Sequence, residues 1–168
     1  MSNSKQPVHI TADKTGKALS IAGGSYRIVK SGKDTGGAYA VIEMLVPPGG
    51  GPGPHAHANF EETFHILEGE VELESEDGKA IARTGDFVSI PKGGIVHGFK
   101  NKSDKLARLW CVVVPAGLDG FFEEIGKPSE FGTFEAPQPM TPEIMTKLKG
   151  ISEKYGQQLF PPDYFEKK

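Results

Sequence analysis

Residues 50–62 read GGPGPHAHANFEE, in which His55 and His57 are followed by Glu62. The glycines and prolines before His55 cannot form a regular strand or helix, so they predict a bend that leads into the next segment. In an extended strand, side chains two positions apart project to the same face, so His55 and His57 can point their imidazoles at one place. Glu62 begins an apolar strand over residues 63–67, which directs its carboxylate toward the same interior. The stretch therefore predicts a metal site inside a β-structure.

Short β-favouring runs separated by glycine-bearing turns continue on both sides of this stretch, in a chain with 22 glycines and 13 prolines. Eight runs are predicted strands: residues 26–30, 38–46, 63–67, 70–74, 80–83, 86–90, 96–101 and 107–114. Glu68-Gly69 and Asp77-Gly78 predict hairpin connections, because glycine accepts a positive φ freely. Many brief strands with frequent turns are typical of an all-β sandwich or barrel, and eight strands suit a jelly roll.

Past residue 115 the composition changes and predicts helices. Residues 117–126 form one short helical pattern that a glycine closes. The second helix is predicted to begin with Thr141 as its cap and Pro142 in its first turn, and apolar residues repeat at helical spacing as far as Gly156. The sequence therefore predicts a short helical extension at the C-terminal end of the barrel.

The chain of 168 residues is long enough for one buried core. We predict three parts: an N-terminal arm with the first strands over residues 1–34, the barrel over residues 35–115, and C-terminal helices with a tail that packs on the barrel over residues 116–168. Within the last part, the linker of residues 127–140 and the tail of residues 160–168 are expected to be irregular.

Composition excludes several classes of partner. A net charge of −3, from 22 acids and 19 bases scattered along the chain, provides no basic stripe for nucleic acid. No apolar run reaches the roughly 20 residues of a membrane helix, and the first residues lack the apolar core of a secretory signal, so a cytoplasmic protein is expected. Cys111 is the only cysteine, which excludes an intrachain disulfide. Its apolar neighbours predict a buried core residue rather than a catalytic thiol.

Two segments resemble the motifs of the cupin family. Residues 50–69 match the first motif at Gly50, His55, His57, Glu62 and Gly69. Residues 85–101 match the second at Gly85, Pro91, Gly93, His97 and Asn101. One additional residue lies between Gly93 and His97, and the pair Gly93-Gly94 can absorb it in the turn. The chain is thus identified as a member of the cupin superfamily, similar to single-domain cupins of the cupin_2 type and to quercetinase-like monocupins.

The resemblance implies a cupin jelly-roll β-barrel that holds one divalent transition-metal ion. The implied ligands are His55, His57, Glu62 and His97. Three imidazoles and a carboxylate suit iron, manganese, nickel, copper or zinc about equally well, so the sequence does not choose among these metals. Such a ligand set leaves one or two coordination positions for water or substrate.

The resemblance also implies catalytic and pocket residues. Glu62 is expected to act as both ligand and catalytic base, with a pKa raised by an apolar pocket. Phe64 shares the strand face of Glu62, while Phe99 and Asn101 share that of His97, so these three are candidate substrate-pocket residues. His65 lies at an odd offset from Glu62, on the opposite strand face, and is not expected to be a ligand.

The function that the resemblance implies is quercetin 2,3-dioxygenase-like oxidation of a small enol or phenol-type molecule. Two alternatives remain open: a metal-containing cupin that only binds a small ligand, and a metal-dependent isomerase that uses no O₂. The expected partners are a small-molecule substrate or ligand and a second copy of the chain, since single cupins pair through exposed barrel edges. Neither nucleic acid nor membrane is an expected partner.

Overall fold

The computed structural model describes Lys5 and residues 7–167. Residues 1–4 and 6 of the predicted N-terminal arm, and residue 168 of the predicted tail, lie outside the described residues. The strands are β1 (Lys17–Ile21), β2 (Gly24–Lys30), β3 (Ala40–Val46), β4 (His55–His57), β5 (Glu61–Glu68), β6 (Glu70–Ser75), β7 (Gly78–Arg83), β8 (Phe87–Ile90), β9 (His97–Lys100), β10 (Ala107–Val114), β11 (Lys127–Pro128) and β12 (Gln157–Leu159). The helices are α1 (Leu118–Ile125) and α2 (Pro142–Lys154), with short 3-10 turns at Lys33–Thr35 and Tyr164–Lys167.

The described strands form two antiparallel sheets. One sheet has seven strands in the order β11-β1-β2-β3-β10-β5-β8, and the other has five in the order β12-β4-β9-β6-β7. The predicted all-β jelly-roll fold with a short C-terminal helical extension is confirmed. Neither helix in the described part of the chain has the length and apolar character needed to cross a membrane.

Alternation along the central strands places the core between the sheets. In β10, Leu109 and Cys111 are fully buried, whereas Trp110 between them is partly exposed on the outer face. In β5, Phe64 and Ile66 are buried and His65 is exposed. A side-chain period of two fixes which residues enter the interior, so the same alternation that builds the core turns Glu62 inward.

All eight predicted strand runs contain a strand, and both predicted helices are present. Thr141 caps α2 as predicted, with its hydroxyl oxygen 3.3 Å from the backbone N–H of Ile144 that donates to it. The expectation of an irregular linker and tail is wrong in part, because β11 lies in the linker and a 3-10 turn lies in the tail. Strand β11 pairs with the edge of β1, and a two-residue strand is too short to leave a periodic signal in the sequence.

Candidate metal centre

The structure brings together the four side chains that the sequence singles out as ligands. His55 and His57 lie on β4, His97 begins β9, and Glu62 lies on β5. His55 is directly opposite His97 in the antiparallel register. The five-stranded sheet thus supplies three imidazoles and the seven-stranded sheet supplies the carboxylate. All four residues are buried, and one donor atom from each lies within 4.8 Å of the others.

The additional residue before His97 is absorbed in the turn that precedes β9. Gly93 and Gly94 adopt positive φ angles of 120° and 83°, which side chains with a Cβ rarely adopt. The turn ends before the strand begins, so the register of β9 is unaffected. The ring of His97 consequently faces the cluster, with its centroid 4.3 Å from that of His55.

Backbone carbonyls fix the tautomer of each histidine. The Nδ1 atoms lie close to carbonyl oxygens as follows: His55 to Gly53 at 2.9 Å, His57 to Phe60 at 3.0 Å, and His97 to Ile95 at 2.9 Å. A carbonyl oxygen can only accept, so each Nδ1 carries the hydrogen and donates it. In a neutral ring Nε2 is then left with a lone pair, which is the arrangement that a hydrogen-bond acceptor at Nδ1 imposes on metal-binding histidines.

These lone pairs converge on a carboxylate oxygen that is also an acceptor. The Nε2 of His57 lies 3.3 Å from Oε2 of Glu62, and the Nε2 of His97 lies 3.5 Å from the same oxygen. Within the described part of the chain, the buried Nε2 of His97 has no hydrogen-bond partner. Acceptors that face each other without a proton repel, and a cation between them removes the conflict. The group therefore suits a divalent metal ion.

The size of the group fits one ion. Zinc and similar ions bind nitrogen and oxygen donors at about 2.0–2.2 Å, so donors on opposite sides of an ion are at most about 4.4 Å apart. The four donor atoms of the cluster all lie within 4.8 Å of one another, and this distance exceeds the maximum of about 4.4 Å by only a few tenths of an ångström. Small side-chain movements are enough for all four donors to share one ion.

Burial and charge set the protonation states of the cluster. Burial, followed by the neighbouring His97, lowers the pKa of His55 to about 4, so its imidazole is neutral at pH 7. Burial alone would raise the pKa of Glu62, but the hydrogen bonds that His57 and His97 donate when Nε2 carries a proton outweigh burial and hold the pKa below the ordinary value. The expectation that an apolar pocket raises the pKa of Glu62 is therefore wrong. Neutral imidazoles and an ionised carboxylate are the forms that bind a metal.

Two further residues contact the cluster. The thiol of Cys111 lies 3.4 Å from Oε1 of Glu62 and donates to it, while Oε2 faces the histidines. Burial, followed by the charge of Glu62, raises the pKa of Cys111 well above its ordinary value, so the thiol keeps its proton. Phe60 stacks on the ring of His57, with centroids 4.1 Å apart. Cys111 is a buried core residue as predicted, and its contact with Glu62 is a structural finding that no spacing in the sequence indicates.

A cavity of about 350 Å³ opens onto this cluster, and its wall includes His55 and Glu62. Phe64 and Phe99 both line it and meet edge to face, with centroids 5.2 Å apart. Helix α1 contributes four apolar residues to the wall: Leu118, Phe121, Phe122 and Ile125. The cavity is thus bounded by the barrel and by the C-terminal extension, and most of its wall is apolar.

Asn101 is not among the residues that line this cavity. Its amide group donates to the carbonyl oxygens of Val46 and Lys105, and its Oδ1 accepts from the backbone N–H and the hydroxyl of Ser103. The side chain therefore anchors the loop before β10. Strand β9 ends at Lys100, so strand alternation no longer sets the direction of the Asn101 side chain.

Tyr26 and Gln157 line the cavity, although no motif in the sequence points to them. Tyr26 lies on β2, and burial raises the pKa of its hydroxyl, which therefore stays protonated. Gln157 lies on β12, a three-residue strand after α2. This strand is too short for an alternating pattern to show which of its residues face the interior. Gln157 can be assigned to the inner face only once the pairing of β12 with β4 is known.

Comparison with known proteins identifies a family whose model matches part of the chain. The family model described as a cupin domain matches residues 42–114, which include all four candidate metal ligands. Residues 42–114 therefore match the cupin domain over this part of the chain.

Three known proteins are similar to this chain in sequence or in structure. Over 105 residues the chain is 30% identical to quercetin 2,3-dioxygenase of Bacillus subtilis (strain 168), an alignment that covers 62% of this chain and 31% of that protein. The chain therefore matches less than a third of that relative. Ectoine synthase from P. lautus has a TM-score of 0.56 at 20% identity, with 82% of this chain and 99% of that one covered. KdgF from Halomonas sp. has a TM-score of 0.57 at 18% identity, with 67% and 99% covered. At these identities the two structures establish the fold alone.

Proposed function

We propose that the protein is a metal-dependent dioxygenase that acts on a small molecule with an enol or phenol hydroxyl. The observation that carries this proposal is the convergence of three imidazole lone pairs and one carboxylate at the wall of a largely apolar cavity. The similarity to quercetin 2,3-dioxygenase supports the same reaction class. His55, His57, Glu62 and His97 would hold the ion, which could be iron, manganese, nickel, copper or zinc. When bound, such an ion acidifies a substrate oxygen and brings it together with O₂.

In this proposal Glu62 also accepts the substrate proton. Its carboxylate lines the cavity and is ionised at neutral pH, so it is ready to accept. A lowered pKa makes it a weak base, which matches an acidic enol or phenol better than an alcohol. The thiol of Cys111 occupies Oε1 and directs Oε2 toward the site.

The lining of the cavity argues for such a substrate. Phe64 and Phe99 provide aromatic walls that suit a planar molecule. Among the described lining residues there is no lysine or arginine, so a phosphorylated sugar would find no charge partner. This composition favours dioxygenation over isomerisation of a phosphosugar. Ligand binding without turnover remains the alternative that the experiment below separates.

The test begins with metal-free protein purified without a nickel column. The protein is loaded in turn with each of the five metals, and bound metal and O₂ consumption are measured with flavonols, enediols and β-diketones. One ion per chain and O₂ consumption with at least one substrate are expected. One bound ion without O₂ consumption would contradict dioxygenation and leave the ligand-binding and isomerase alternatives, and the absence of stoichiometric binding would refute the metal site.

Glu62→Gln provides the sharpest variant, and Glu61→Gln is its matched control. Glu61 is adjacent in sequence, but its Oε1 accepts from the hydroxyl of Ser89 outside the cluster. Glu62→Gln is expected to lower the rate of O₂ consumption by about 100-fold or more, the usual contribution of a general base, while Glu61→Gln keeps the rate of the unmodified protein. Equal rates in the two variants would remove Glu62 from the mechanism.

We also infer that the protein forms a homodimer and that its partner is a small molecule. The cytoplasmic location stays a prediction, supported by the single cysteine, which is buried as a free thiol.

A further inference from the structure

Strand β12 places a glutamine beside the metal-binding cluster. It pairs with β4 so that Gln157 lies directly opposite His57 and Leu159 opposite His55. Directly paired residues of an antiparallel sheet project to the same face, with Cβ atoms about 4.5–5.5 Å apart. Gln157 therefore shares the inward face of the two histidines, and it lines the cavity. Gln158 points the other way and is exposed.

The side-chain nitrogen of Gln157 is buried without a hydrogen-bond partner among the residues that the structure describes. The residue is only 6% exposed, and within the described part of the chain its Nε2 atom has no hydrogen-bond partner. A buried donor left unpaired costs stability, which an apolar residue of similar size would avoid. An unpaired donor that lines a cavity indicates a ligand that accepts its hydrogen.

We propose that Gln157 is a ligand-binding residue that donates a hydrogen bond from Nε2 to an acceptor oxygen of the molecule in the cavity. This inference rests on the proposed function in one respect: the ligand occupies the cavity above the metal-binding cluster. It goes beyond that function because it assigns a recognition residue outside the matched cupin domain, which ends at residue 114.

The cavity restricts the chemistry of the ligand. Its volume of about 350 Å³ lies near the lower end of the usual range for ligand sites, about 300–1,000 Å³, so one or two fused rings fit. The polar side chains of the described wall are Tyr26, His55, Glu62 and Gln157, and the rest of the wall is apolar or glycine. A planar, largely apolar molecule with a carbonyl oxygen toward Gln157 satisfies this pattern. The carbonyl resolves the unpaired donor, and the rings pack against Phe64 and Phe99.

Two probe molecules that differ in a single carbonyl test the proposal. Binding of 4-chromanone and of chromane to metal-free protein is measured by titration calorimetry. The unmodified protein is expected to bind 4-chromanone about tenfold more tightly than chromane, because the carbonyl pairs with Gln157. Gln157→Leu is expected to lose this preference, while Gln158→Leu, the matched control on the outer face, keeps it. The preference surviving in Gln157→Leu, or the unmodified protein binding both probes equally or neither, would overturn the proposal.

Thermal unfolding adds a readout that separates ligand binding from a structural role. Gln157→Leu removes an unpaired buried donor, so its Tm should be equal to or higher than that of the unmodified protein, whereas a structural amide would give a lower Tm. Gln157→Met, which keeps the length of the side chain, provides the same comparison if the leucine variant does not fold. The probes are titrated without metal or O₂, so the titration does not depend on the metal and O₂ assays. Absence of metal binding or of O₂ consumption would refute the proposed function, but the probe titration would still test the role of Gln157.

Discussion

At the scale of single residues, the candidate centre is defined by what the backbone does to its histidines. Each Nδ1 donates to a carbonyl within three residues in sequence, so the local chain sets the tautomer before any metal arrives. The conflict between the lone pairs and Glu62 is therefore built into the protein alone. A site of this kind stores unfavourable contacts that binding relieves, so metal binding should raise the free energy of unfolding.

The pKa of His55 makes the stability of the metal-free protein depend on pH. Folded His55 takes up its proton only near pH 4, against 6.5 for the ordinary group. Between these values the unfolded chain binds more protons, so the free energy of unfolding falls as the pH drops through this window and is unaffected above it. The full shift corresponds to about 3 kcal/mol. Urea unfolding of metal-free protein at pH values from about 7 to about 4.5 measures most of this change in free energy.

A histidine outside the cluster provides the control for this measurement. His55→Gln should flatten the dependence on pH, whereas His9→Gln, at an exposed position of the N-terminal arm, should keep it. Glu62 contributes at the acid end of this window and below it, because a lowered carboxyl pKa stabilises the fold above the ordinary value of 4.5 and the effect is lost as the pH falls further. An unchanged slope in His55→Gln would show that its imidazole is not the group responsible.

At the scale of elements, the loop before β4 positions the first two histidines by close backbone packing. Gly51 has a φ of +126°, and a Cβ added there would lie 2.2 Å from the carbonyl oxygen of Phe99 on β9. Gly51→Ala must therefore strain the loop or displace β9 at Phe99, which is two residues from His97. We expect a loss of about 2–4 kcal/mol in the free energy of unfolding, from backbone strain and overpacking together. Weaker metal binding should accompany it.

Gly53→Ala in the same loop is the matched control. A Cβ at Gly53 meets no atom within 4 Å, and the carbonyl that accepts from His55 is kept. Its free energy of unfolding should change by no more than about 0.5 kcal/mol. Urea unfolding and metal titration of the two variants provide the comparison, and similar losses in both would contradict the role assigned to the contact between Gly51 and Phe99.

The elements that the sequence predicts are those with an internal pattern. Strands β5 and β10 alternate over eight residues each, and α2 carries its own cap, so local chemistry defines them. Strand β12 has three residues, and its existence depends on pairing with β4, about 100 residues earlier in the chain. His55, His57 and Glu62 could be predicted from spacing along strands, and His97 from the resemblance of residues 85–101 to the second cupin motif. Gln157 and the contact of Cys111 with Glu62 could not, since only tertiary packing creates them.

At the scale of the whole molecule, the candidate centre lies between the two sheets and depends on both. The predicted division into parts ending at residues 34 and 115 stays a prediction, but the strands do not separate along it. Strands β1 and β2, from the first predicted part, and β11, from the last, all belong to the seven-stranded sheet. The wall of the cavity likewise combines the barrel with α1 and β12. Removal of the C-terminal part would therefore open the cavity as well as shorten the chain.

The outer face of the seven-stranded sheet is the surface on which we expect a second copy to pack. Trp110, His65 and Phe87 form one row across β10, β5 and β8, and β8 is an edge strand. Phe87 is 67% exposed and Trp110 is 37% exposed. A two-fold axis through such a face pairs each apolar side chain with its equivalent and buries the exposed edge.

Sedimentation tests this prediction directly. The unmodified chain of 18.1 kDa should sediment at about twice that mass, and Phe87→Glu should shift it to the monomer, because two-fold symmetry brings like charges together at the interface. Ile81→Glu is the control, since Ile81 is also exposed, at 44%, but lies on β7 of the other sheet. Both substitutions replace an exposed apolar side chain with the same charge, so a difference between them reports the interface rather than the fold. A monomeric unmodified protein, or dissociation by Ile81→Glu alone, would place the contact elsewhere or remove it.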